Sequence, residues 1–161
     1  IEAGIDSKGS LNVFIQVVGE YSDYVMVRVT GEDDIKKFRT QLLYCKNKFV
    51  EWEEVAKSNN ISDFKKEIDA TFPNVEVWWV GLEWYSSFKK NFIKPYFVVN
   101  KGDAAFGTMG TATHWSNDFI DQEFYILFET ASEIQSLIDA LDIEEIKDEL
   151  EENIATDALF Y

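Results

Sequence analysis

The chain changes its hydrophobic period three times, and that switching restricts the fold more than any other feature of the sequence. In "LNVFIQVV", Leu11, Val13, Ile15 and Val17 alternate with Asn12, Phe14, Gln16 and Val18. In "YVMVRVT", Val25, Val27 and Val29 alternate with Tyr24, Met26, Arg28 and Thr30. Successive side chains of a strand point to opposite faces, so both stretches read as strands, at about 10–18 and 24–30, each with one apolar face. The five residues "GEYSD" between them are short enough for a hairpin.

Beyond Thr30 the period lengthens. Ile35, Phe38, Leu42, Cys45, Phe49, Trp52 and Ala56 recur every three or four residues, which lines them along one face of a long helix. Thr30 ahead of Glu32, Asp33 and Asp34 predicts a capped start with acid at the positive end of the helix dipole, and Lys57 sits near the other end. Lys36, Lys37, Arg39, Lys46 and Lys48 fall on the opposite face. "ISDFKKEI" reads as one or two further helical turns before Pro73.

From Val75 the period of two returns, with strands at about 75–81, 84–90, 95–100, 104–113 and 123–129. Turn chemistry separates them at Gly81, Lys94-Pro95, Lys101-Gly102-Asp103 and Ser116-Asn117-Asp118. "TASEIQSLIDAL" opens with a capping box, Thr130 with Glu133, and sets Ile134, Leu137, Ile138 and Leu141 on one helical face. Asp142 and Glu145 repeat that start signal ahead of Ile143, Ile146, Leu150 and Ile154. The expected fold is α+β: an antiparallel sheet made of an N-terminal hairpin and a C-terminal meander, with a long helix after the hairpin and C-terminal helices packed on one face. Residues 1–9 read as a flexible opening segment, 10–141 as a single domain, and 142–161 as an acidic helix and tail.

"VEVWWVGLEWYSSF", residues 75 to 88, raises a question of exposure. In a strand Trp78 and Trp79 must lie on opposite faces, Trp79 with Val75 and Val77 and Trp78 with Val80. Core packing accounts for large aromatics in most folds. The functional alternative is an exposed platform built from Trp78, Trp84 and Tyr85, on which a partner docks.

Charge narrows the functional classes. The net charge is −15, and fourteen Asp and Glu against a single Lys147 between Asp118 and Tyr161 account for −13 of it. A chain so acidic is not expected to bind nucleic acid directly, because phosphates are held by Lys and Arg. No apolar run is long enough to cross a membrane as a helix. The lone Cys45 excludes an intrachain disulfide and a cysteine-based zinc site and fits a reducing, cytoplasmic setting, while a start at Ile1 rather than Met leaves export open.

Motifs for chemistry are sparse. "GTMGTATHWSND" holds the only histidine, His114, near Thr113, Ser116 and Asp118. Gly107 and Gly110 have neither the spacing nor the following lysine of a phosphate loop. A nucleophile needs a base within reach and a group that orients the base, so His114 with Ser116 and Asp118 forms the one candidate catalytic set. His114, Asp118 and Asp121 lack the ligand spacing of a metal site, and Cys45, on the apolar seam of the helix, reads as core.

These features give two expectations. The first is a non-enzymatic protein-binding module, with neither metal nor cofactor. It would act as an adaptor, an inhibitor or immunity-type protein, or a mimic of the nucleic-acid backbone. Its acidic C-terminal residues Glu144, Glu145, Asp148, Glu149, Glu151 and Glu152, with Trp78, Trp84 and Tyr85, would meet a basic partner. The alternative is a small hydrolase or transferase centred on His114, Ser116 and Asp118.

Overall fold

The computed structural model describes residues 1–20, 22, 24–80, 84–91, 93–114 and 117–157, and for 80, 84–91, 117–121 and 156–157 the backbone alone. The first period-two stretches form β2 (Leu11–Gly19) and β3 (Val25–Thr30), and the residues ahead of them include a further strand, β1 (Glu2–Ile5), paired with β2. Asp6 closes the β1–β2 turn by accepting from Lys8 N–H and Ser10 N–H, both at 2.9 Å, and these bonds hold its carboxyl below the usual range. The helix follows as α1 (Glu32–Ser58), then β4 (Asp63–Glu67), β5 (Val75–Val80), β6 (Trp84–Asn91), β7 (Lys94–Asn100), β8 (Asp103–His114), β9 (Asn117–Phe128), α2 (Ala131–Asp139) and α3 (Ile143–Asp157).

The strands pair antiparallel in the order β4-β7-β8-β9-β2-β3-β5-β6, with β1 attached to β2. Thus the β5–β6 hairpin extends the sheet beyond β3, and the β7–β8–β9 meander extends it beyond β2. Only Phe92 and Ile93 join β6 to β7, although those strands lie near opposite ends of the row. A two-residue connection spans at most about 11 Å, so the sheet must curl until its ends approach, and β6 indeed lies beside β8.

The predicted helical seam is the centre of the core. Ile35, Phe38, Leu42, Cys45 and Phe49 are fully enclosed, as are Val13, Val25, Val27, Val29 and Val77 of the facing strands. Phe38 meets Phe72 edge-on with centroids 5.0 Å apart, and Phe97 is flanked by Phe49 at 6.0 Å and Trp52 at 5.8 Å. α1 packs on β3, β7 and β8, and α2 packs on α1 and β9.

Four local expectations are corrected, the first being the turn at Lys94-Pro95: both residues belong to β7, opposite Met109 and Thr108. Thr30 does not cap α1: its hydroxyl donates to Asn12 Oδ1 across the hairpin at 2.8 Å, and Gly31, at φ 89°, takes the cap position without a side-chain bond. "ISDFKKEI" is not helical; Asp63–Glu67 is a strand, paired along its length with Tyr96–Asn100 of β7. β9 begins at Asn117, so two of the three residues expected in a turn there belong to a strand. The Thr130–Glu133 capping box is present as expected, with Glu133 N–H donating to Thr130 Oγ1 at 3.2 Å and Glu133 Oε2 accepting from Thr130 N–H at 3.0 Å.

Candidate functional site

The acidic helix α3 is built in two halves with different duties. Asp142 Oδ1 accepts from Glu144 N–H at 3.1 Å, which starts the helix where the repeated capping signal predicts. Ile143 and Ile146 are buried, and α3 packs on α1 and β1. Arg39 of α1 clamps the corner between α2 and α3, donating from Nε to Ile138 O at 2.9 Å and pairing through Nη2 with Asp142 Oδ2 at 3.0 Å. Lys147 Nζ reaches Glu32 Oε1 at 2.8 Å, which lowers the Glu32 carboxyl and raises the Lys147 ammonium.

The rest of α3 faces outward. Glu144, Glu145, Asp148, Glu149, Glu151 and Glu152 are all exposed, and at 3.6 residues per turn they fall within an arc of about 160°. Beyond Leu150 the apolar stripe leaves the domain: Ile154, on the same side as Ile143 and Ile146, is 65% exposed.

Trp78 and Trp79 separate as strand alternation requires. Trp79 is buried with Val75 and Val77, whereas Trp78 is half-buried on the other face of β5. There the Arg28 guanidinium lies 5.7 Å from the Trp78 ring centroid and pairs with Glu76. Trp84 and Tyr85 stand opposite Val80 and Trp79 in the β5–β6 ladder; their side chains lie outside the described residues.

His114 ends β8, half-buried, after a register shift that sets it opposite Asn117. Ser116 lies outside the described residues, as do the side chains of Asp118 and Asp121. Cys45 is fully buried, and burial pushes its thiol up to about 12, which suppresses the reactive thiolate. Among the described residues no cluster of three or more His, Cys, Asp or Glu is placed to hold a metal ion, and no helix is long and apolar enough to cross a membrane.

Among the described residues, concave surfaces lie away from these groups. β1 and β9 share one edge of β2, at residues 11–14 and 18–19, and the fork between them opens a cavity of about 470 Å³ lined by Gln16, Val17, Ser22, Tyr125 and Leu127. A second, of about 290 Å³, lies between Lys36, Arg39 and Leu43 of α1 and Gln135 and Ile138 of α2. His114 lines neither. The fork escaped the sequence reading because it depends on where two distant strands stop pairing. Compared with known proteins, the chain matches no protein-family model, no curated protein and no solved structure.

Proposed function

We propose that this chain is a non-enzymatic protein-binding module, of adaptor, inhibitor or immunity type, which offers the acidic face of α3 to a partner with a basic surface. One observation carries the reading: six exposed carboxylate residues share one arc of a helix whose opposite side is anchored to the domain through Ile143 and Ile146. Glu144 and Asp148, Glu145 and Glu149, and Asp148 and Glu152 are like charges four residues apart, each pair costing an isolated helix about 0.2–0.5 kcal/mol. Acid in the last turns also opposes the helix dipole. An arrangement that weakens its own helix, in a chain already soluble by charge, supports an intermolecular role in which a basic surface offsets the repulsion.

The test is affinity capture from cells of the native source, comparing the unmodified chain with a variant carrying Asp148→Asn, Glu149→Gln, Glu151→Gln and Glu152→Gln. The expected result is a partner with a basic surface that is retained at low salt, released at high salt and lost with the variant. Capture that is indifferent to both salt and variant would remove α3 as the docking face.

A further inference from the structure

β4 ends the row of strands: one edge pairs with β7, and no strand pairs with the other among the described residues. Ile68 N–H donates to Pro95 O at 2.9 Å and Ser62 O accepts from Gly102 N–H at 3.1 Å. Hydrogen-bonding direction alternates along an antiparallel strand, so Phe64 and Lys66 turn their backbone groups toward β7, and Asp63, Lys65 and Glu67 turn theirs to the open edge. Beside this edge lies a groove of about 300 Å³ whose lining includes Phe97, Trp52, Ala56 and Phe64. Phe64 is 45% exposed there.

One ammonium group, that of Lys66, lines the groove, and its chain neighbour Lys65 lies on the opposite face of the strand. Lys66 Nζ lies 4.5 Å from the Trp52 ring centroid, and Lys65 Nζ lies 4.4 Å from that of Tyr96, on the other face of the strand. Neither meets a carboxylate among the described residues; each is held over an aromatic ring instead. Asp63 and Glu67 share the strand, yet among the described residues no ion pair joins them to Lys65 or Lys66, so both ammonium groups can meet an external carboxylate.

We propose that the β4 edge and its groove form a second docking site, for an extended acidic segment of a partner protein that adds to the sheet as a further strand. Strand addition gives backbone hydrogen bonds along the edge, and alternating side chains read the two faces. The incoming strand sets one carboxylate opposite Lys65, a second opposite Lys66 on the other face, and a large apolar side chain beside Phe64. Read along that strand, the recognised pattern is two consecutive acidic residues next to one large apolar residue. The site is separate from α3, which meets α1 at Glu32, about 30 Å along the helix from Trp52.

The test uses the full chain, isotopically labelled for NMR, and a capped peptide, Thr-Val-Glu-Glu-Leu-Val-Thr. Binding should slow amide exchange at Asp63, Lys65 and Glu67 and leave Phe64 and Lys66, already bonded to β7, unchanged. Lys65→Pro removes an outward N–H, which an edge strand tolerates, and should abolish that protection. If that variant does not fold, Lys65→Glu with Lys66→Glu should weaken binding by about tenfold. Absence of protection at Lys65 and Glu67, or equal binding of the peptide with Lys-Lys in place of Glu-Glu, would overturn the proposal and leave the lysines as guards against edge-to-edge pairing. Pairing of β4 between two copies of the chain, seen as dimer formation without peptide, would overturn it as well.

Discussion

Gly110→Ala tests the packing between β8 and β9 with a single methyl group. The two strands place Gly110 directly opposite Phe124, and the phenyl ring occupies the space a side chain would take: a Cβ at Gly110 would lie 2.4 Å from Phe124 Cζ and 2.8 Å from Cε1. Phe124 is only 2% exposed, so its ring cannot swing into solvent to make room. Overpacking of this kind costs about 1–3 kcal/mol, and the stiffer unfolded chain of an alanine variant recovers about 0.4–1 kcal/mol. The net loss is about 1–2 kcal/mol, equivalent in a chain of this length to a drop in melting temperature of about 2–8 °C. Gly107→Ala is the matched control, since a Cβ there meets Leu127 Cδ1 at 3.6 Å and Ile126 O at 3.7 Å, both ordinary contacts. Calorimetry and urea unfolding of the two variants should rank Gly110→Ala clearly below Gly107→Ala. Equal melting temperatures would refute the reasoning and would mean that the Phe124 ring moves freely.

Burial raises the folded Cys45 thiol to about 12, so its contribution to stability is complete below the unfolded thiol range near pH 9 and is lost as pH rises toward 12. Unfolding curves of the unmodified chain should therefore lose about 1.4 kcal/mol per pH unit in that window relative to Cys45→Ala, and thiol reagents should label Cys45 slowly until the protein unfolds. Truncation after Leu141 removes the buried Ile143 and Ile146 and should cost about 3–6 kcal/mol, whereas truncation after Leu150 should leave the melting temperature close to that of the full chain. Trp79→Ala should cost about 3–5 kcal/mol, as for a core aromatic. Trp78→Ala, losing a half-buried ring under Arg28, should cost clearly less; the reverse order would contradict the assignment of faces.

Long periodic segments carried most of the fold in their own residues. The seam of α1 and the alternation of β2, β3 and β5 were readable because each buries one face along its whole length. β4 was not, because Ile61, Phe64 and Ile68 fall at helical spacing and "DFKKE" has no β-branched residue; the strand exists because β7 offers an edge to pair with. Thr30 misled for a similar reason, since its hydroxyl is taken by Asn12, eighteen positions away. The acidic arc of α3 could be read from spacing alone. Which half of that helix is anchored depends on contacts with α1 and β1, and Ile143 and Ile154 look alike in sequence although one is buried and the other exposed.

Whether the acidic face of α3 docks a basic partner is decided by the association rate of the captured partner as a function of ionic strength. Opposite charges steer encounter, and salt screens that steering over a Debye length of about 8–10 Å. For the unmodified chain the rate should fall steeply between low and physiological salt. The Asp148→Asn, Glu149→Gln, Glu151→Gln, Glu152→Gln variant should associate slowly and with little salt dependence. Identical rates and identical salt slopes for the two proteins would contradict docking by that face.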